Sequence, residues 1–366
     1  YFLYGSHENR DITPYFSTKW YLDEYQDVKD SGINPIYHYF THGFKEGRKP
    51  IPLFWPLWYK EKYLKIHSDD IEPLTHYISQ GYKKGYKPCP YFDTNYYISK
   101  NSDLDFLIHE PLKHYMLIGW KEGRKPSPYF NPAWYNAHNE DVFVNQIDPL
   151  THYITKGWKE ERNPNEYFFV KWYINKFLKK DDTIEPLLHY ICEGIKSGTS
   201  PNPYFDSDWY CFEYMNKSTR KNNTSLEHYM ETGRITKNKP NPYFDSSWYS
   251  ERYPDIAKAY DDPFLHFIEF GANEQRQPNK FFDYQFYCNK HKDLLLCFDN
   301  PFLHFLETGR AQLTKPFYTE HIPSYTLNRK GYLSEYKFNY RSTQNKKTDN
   351  IFDIVIVAFN SEKWIK

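Results

Sequence analysis

A single interval governs this chain. A His followed by Tyr or Phe occurs at His38, His76, His114, His152, His189, His228, His266 and His304, at spacings of 38, 38, 38, 37, 39, 38 and 38 residues. A Trp-Tyr pair keeps the same register at Trp20-Tyr21, Trp58-Tyr59, Trp134-Tyr135, Trp172-Tyr173, Trp209-Tyr210 and Trp248-Tyr249, and Tyr96-Tyr97 and Phe286-Tyr287 fill the two remaining slots. Glycines follow each His, from Gly43 to Gly309, and Gly5 extends the series upstream. A period of this length is the signature of a repeat architecture, in which each unit buries its apolar face against its neighbours. Residues 1–316 are therefore read as one helical array of eight units. Tyr1 falls 38 residues before Tyr39, so the chain is expected to open inside the tail of an upstream unit.

Each unit reads as two helices. The first opens at Ser17, Asp93, Asn131, Asp206, Asp245 or Asp283, residue types whose side chains satisfy free N–H groups. Pro56 and Pro132 follow at the first helical position, where a fixed φ suits a helix start. Phe16 and Tyr21 flank the cap at hydrophobic-staple spacing, and the helix is expected to run to about residue 29. The second helix starts at Asn34-Pro35, Glu72-Pro73, Glu110-Pro111, Asp148-Pro149, Glu185-Pro186, Asp262-Pro263 and Asn300-Pro301. Repeat 6 has Ser225 where the others have proline, so a less sharp start is expected there. The glycine after each second helix reads as its stop. A helix of about eight residues persists only by packing, so stability is assigned to rings stacked between neighbouring units.

Composition fits that reading. Aromatic residues make up 20% of the chain against 39% for all hydrophobic types, so the core is built largely of rings. The 47 basic and 47 acidic residues balance, which argues against nucleic acid or an anionic membrane as partner. Five cysteines without CxxC spacing fit neither a disulfide framework nor a zinc site, and point to a reducing, cytoplasmic setting with membrane association only through partners. No apolar run reaches the length of a membrane span.

Several residues invite a chemical role. The His row resembles a metal series, but consecutive copies sit one repeat step apart, roughly 10 Å for packed helices, too far to share an ion bound at about 2 Å. They are read as structural, tied to backbone or to a Tyr hydroxyl. Asp103-Leu104-Asp105 and Asp206-Ser207-Asp208 look like DxD metal motifs, yet Asp103 keeps the register of Asp27, Asp141 and Asp255, and Asp206 is a cap. Both strings are read as structural. The Trp-Tyr rings are assigned to the core. Phe44, Tyr82, Trp120 and Trp158, each one residue after the repeat glycine, are the candidates for a glycan-binding or partner-binding surface. The Glu-Gly-Arg connectors are read as solvated corners.

Register is lost after Pro316. Residues 317–350 read as a polar linker. The β-branched run Asp353-Ile354-Val355-Ile356-Val357-Ala358-Phe359-Asn360, followed by Ser361-Glu362, then reads as a strand and turn opening an α/β domain over 351–366. This run resembles the first strand of family 2 glycosyltransferases of GT-A fold. Units such as 244–267 are similar to those found beside glycosyltransferase domains in bacterial surface-polysaccharide and rhamnan-synthesis proteins. The resemblance implies that Val357, Ala358 and Phe359 line the base site of a nucleotide-sugar donor, with Asn360 and Glu362 supporting the turn. It also implies a glycan acceptor, and a divalent metal (Mg or Mn) in the parent transferase. The metal-binding DxD motif and the general base would lie beyond Lys366, so no catalytic residue, metal ligand or cofactor is assigned within this chain. The expected function is an accessory scaffold of a glycosyltransferase, its repeats binding acceptor glycan or a partner protein. The alternatives are a non-enzymatic protein-interaction solenoid and a carbohydrate-binding array.

Overall fold

The computed structural model describes residues 11–64, 71–105, 109–178, 184–290, 300–309, 325–327 and 333–335. The chain divides into two compact units, Tyr1–Tyr318 and Thr319–Lys366. The first is a helical repeat array. In the second, two short strands, Tyr325–Leu327 and Leu333–Glu335, pair antiparallel with Thr326 opposite Ser334. This pair falls inside the stretch read as a linker. The strand expected over 351–360 lies outside the described residues.

The repeat opens as its sequence dictates. Asp93, Asn131, Asp206, Asp245 and Asp283 each accept a backbone N–H three residues on. Ser17 makes no such bond; Asp11 instead accepts the Thr18 N–H at 2.7 Å. The staple forms, with Phe16 and Tyr21 ring centres 5.1 Å apart and Phe130 and Tyr135 5.4 Å apart. The first helix does not run through to residue 29. It is Thr18–Glu24, a break at Tyr25, then Gln26–Ser31. The break turns the Tyr25 side chain inward, where its hydroxyl accepts the Lys49 N–H at 2.7 Å. Tyr63, Tyr214 and Tyr253 hold Lys87, Lys239 and Gln277 in the same way.

The second helix is two kinds of turn in sequence. Four α-helical residues, Pro35–His38 in repeat 1, run into five π-helical ones, Tyr39–Gly43. The pattern recurs in every repeat through Phe305–Gly309. Repeat 6 starts as sharply as the rest, because Thr224 and Glu227 form a reciprocal capping box in place of proline.

The glycine that closes this helix is not its stop. Gly81, for example, has φ −63°, an ordinary helical value. It is glycine because a Cβ on Gly43, Gly119 or Gly157 would lie 2.1–2.3 Å from the hydroxyl oxygen of Tyr21, Tyr97 or Tyr135. The left-handed residue comes four positions later, at Gly47, Gly85, Gly123 and Gly198, with φ from 68° to 79°.

Stability is not confined to neighbouring units. Tyr15 donates to Glu110 and Tyr91 to Glu185 across 95 and 94 residues, and Trp134 and Trp172 reach Glu269 and Glu307 across 135. These separations are about two and a half and three and a half repeat lengths, so the array comes back over itself after about three repeats. The reason is the ring at the Tyr15 position, which projects toward the next turn and buries its hydroxyl there. The core is this tyrosine-lined interior: Tyr21, Tyr39, Tyr59, Tyr77, Tyr97, Tyr115, Tyr135 and Tyr153 are fully buried.

Candidate functional site

Three families of polar contact run through the array, and each accounts for residues that could otherwise be taken for chemistry. The first is the His row. In all eight repeats the Tyr of the Trp-Tyr position lies 2.7–3.0 Å from the His Nδ1. Burial holds His38, His76, His114, His152, His228 and His266 below the usual imidazole range. Burial raises the partner phenols, Tyr173 to about 12. Each ring nitrogen is thus paired with a phenol hydroxyl of its own repeat, and the row is structural, as its spacing implied.

The second family is a set of buried carboxylates whose role sequence reading missed beyond capping. Glu110 accepts Tyr15 at 2.6 Å and Tyr77 at 2.7 Å, as well as the N–H groups of Leu112 and Lys113. Glu185 takes Tyr91 and Tyr153, and Asp262 takes Tyr167 and Tyr229. Each carboxylate thus binds three repeats to one another. Burial raises Asp148, Glu185 and Asp262 above the ordinary carboxylate range. A shifted carboxyl can mark a catalytic acid, but at Glu185 and Asp262 two tyrosines and backbone N–H groups already occupy the oxygens.

The third is at the surface. Arg48, Arg124 and Arg162 grip Asp27, Asp103 and Asp141 with two N–H groups each, at 2.7–2.9 Å. Asp103 is thereby spent on Arg124, and Asp206 on its cap. Among the described residues no group of three metal-ligating side chains converges. The Glu-Gly-Arg corners are only partly solvated, since Glu46 and Glu122 lie 2.6 Å from arginines that are themselves half-buried.

Of the four surface rings singled out, Trp120 and Trp158 are buried, with their indole N–H groups donated to Met116 and Ile154 carbonyls. Phe44 and Tyr82 are half-buried. A lysine lies over each ring: Lys45, Lys83, Lys121 and Lys159, at 5.4–5.7 Å. The four do not form an open aromatic strip. Val357, Ala358, Phe359, Asn360 and Glu362 lie outside the described residues.

One cavity stands where the repeat departs from its pattern. It has a volume of about 420 Å³ and lies between repeats 5 and 6. Three departures meet there: the cap is Thr224 where the other repeats have a carboxylate or Asn, the following proline becomes Ser225, and the connector position, Arg in four repeats and Tyr86 or Asn238 in two, is Thr199. Tyr190 forms one wall. Its counterparts Tyr39, Tyr77, Tyr115, Tyr153 and Tyr229 each donate to a cap carboxylate. Comparison with family models, with curated proteins and with solved structures returns no match.

Proposed function

We propose that the repeat array is a non-catalytic scaffold that holds an acceptor glycan for a glycosyltransferase domain opening near residue 351. The observation that carries this reading is the contrast within the array. Its repeat histidines, register aspartates and cap carboxylates are consumed in repeated structural bonds, while a cavity lined by both polar and apolar groups stands where the repeat departs from its pattern. The array offers a frame with a place for a ligand, and among the described residues no group of three metal-ligating side chains. The transferase half of the reading rests on the resemblance of residues 353–362 to a GT-A first strand.

Screening the purified chain on an array of bacterial polysaccharides and oligosaccharides tests it. Binding to a subset of glycans is expected, without turnover of nucleotide sugars. No glycan binding by a chain whose circular dichroism shows intact helices would leave the second reading, a protein-interaction scaffold. That reading has its own support in exposed apolar side chains on the outer surface, among them Phe143, Val144 and Phe212 at 57–65% exposure.

A further inference from the structure

We propose that the cavity between repeats 5 and 6 is a binding site for a small neutral saccharide, held through its hydroxyl groups. The inference rests on the glycan reading above and narrows it to one site and one ligand class.

The site is built by the loss of internal partners. Thr94 and Ser246, the first residues of their helices, donate to the connector carbonyls of Tyr86 and Asn238. Ser207 holds the same position in repeat 6. It is 5% exposed, lines the cavity, and its hydroxyl is turned to Tyr190 and not to a connector carbonyl. A ligand hydroxyl in the cavity would give it the acceptor that a connector carbonyl supplies to Thr94 and Ser246. The Tyr190 ring closes the inner wall beside it.

The lining also selects the class. Glu227 reaches back to accept the Thr224 N–H at 2.7 Å, which sets a carboxylate on the cavity wall. Asp208 adds a second carboxylate, while Lys196 and Arg220 supply two cations. The guanidinium of Arg220 is fixed by its bonds to the Met215 and Cys211 carbonyls, both at 2.9 Å. Two charges of each sign leave no field favouring an ion, and the Glu227 carboxylate opposes an anion at the inner wall. A nucleotide base would find no exposed ring face among these residues to stack on. A polyol differs, because each hydroxyl both donates and accepts. It meets carboxylates, cations and the hydroxyls of Ser207 and Thr224 without burying an unpaired charge. The volume lies in the range of small-ligand pockets, about 300–1,000 Å³.

Cys211 lines the cavity and is half-buried, so it reports on occupancy. The full chain is alkylated slowly with iodoacetamide, and each cysteine is followed by peptide mass spectrometry. Glucose, galactose and N-acetylglucosamine are the probes, with glucuronate and inorganic phosphate as anionic comparisons. At ten times its Kd a neutral sugar leaves about one site in eleven open, so alkylation of Cys211 slows roughly tenfold. Cys288, half-buried elsewhere, keeps its rate. A Cys211→Trp variant, which fills the cavity, loses saturation-transfer NMR signals from the same sugar. Protection by glucuronate or phosphate instead of neutral sugars would overturn the ligand class. No protection by any probe would overturn the site. Array binding that survives in Cys211→Trp would also overturn the site while leaving the broader glycan reading standing. Should that variant fail to fold, protection in the parent chain decides.

Discussion

At the scale of single residues, one contact repeats: a tyrosine hydroxyl lies beside a histidine nitrogen in eight repeats and, at seven described glycines from Gly43 to Gly271, against the glycine Cα. Gly119 shows why the glycine is fixed. A Cβ there would lie 2.2 Å from the Tyr97 oxygen and 3.4 Å from His114 Nδ1. Gly119→Ala is therefore expected to cost about 2–4 kcal/mol, from overpacking and the broken hydrogen bond together. Adding Tyr97→Phe removes the clashing oxygen, so the double variant should be clearly more stable than the sum of the singles. Urea melts of the three variants measure this; strict additivity would mean that the glycine is needed for some other reason. The same contact sets a pH dependence. Partial burial lowers six of these imidazoles below their unfolded value of about 6.5. The unfolded chain thus binds more protons in that window, and stability falls with falling pH. Their contribution is complete above about pH 6.5 and declines as pH drops toward the folded values. Asp148, Glu185 and Asp262 act oppositely, since their raised values make their contribution present at low pH and lost as pH rises through them. The two sets pull in opposite directions, so the imidazole share is read by difference: thermal melts between pH 8 and 5 should show the midpoint of a His152→Gln variant falling less on acidification than that of the parent chain. Parallel profiles would count against a neutral His152 in the folded chain.

At the scale of the repeat element, sequence exposes some features and hides others. The caps, the staple, the proline starts and the His–Tyr pairing are local, and residues such as Asp93 and Phe130 show them by type and spacing. The glycine was harder. Gly43 and Gly47 are the same letter four residues apart, one chosen for lack of a side chain and the other for positive φ, and periodicity treats them alike. The π-turn carries no compositional mark either. The left-handed position gives a direct test, because Glu161, Lys237 and Gln275 occupy it without being glycine, at φ 54–56°. An L side chain costs roughly 1–2 kcal/mol there, partly offset by the greater unfolded-state entropy of glycine. Lys237→Gly should stabilise the array by about 0.5–1 kcal/mol. The capping box of repeat 6 gives the opposite case: Thr224→Ala removes the acceptor of the Glu227 N–H and should cost about 1 kcal/mol. Chemical denaturation reads both, and the two shifts should differ in sign.

At the scale of the whole array, the sequence hid the turn-to-turn contacts. Tyr15 and Glu110 each look like ordinary members of their repeats, and their separation of 95 residues is no multiple of the period. It follows from the rotation between successive units, which the whole backbone of a unit sets and no single residue encodes. The cavity was equally hidden, since Thr224, Ser225 and Thr199 are each unremarkable alone and matter only where the fold brings them together. The long contacts also change how the array should come apart. In a solenoid with neighbour contacts only, a lesion weakens its own unit and the next, and then fades. Here the Tyr91 hydroxyl belongs to repeat 3 but is bound to Glu185 at the head of the second helix of repeat 5, which also accepts the Leu187 N–H. Tyr91→Phe leaves that buried carboxylate one donor short. Hydrogen exchange followed by mass spectrometry should then show faster exchange in peptides covering 184–195 as well as those around residue 91. Peptides in repeat 4 that touch neither group, such as 132–138, should change less than those of repeat 5. Loss of protection that decays steadily from repeat 3 through repeat 4 to repeat 5 would instead mean that neighbour packing dominates and the turn-to-turn bonds carry little of the array's stability.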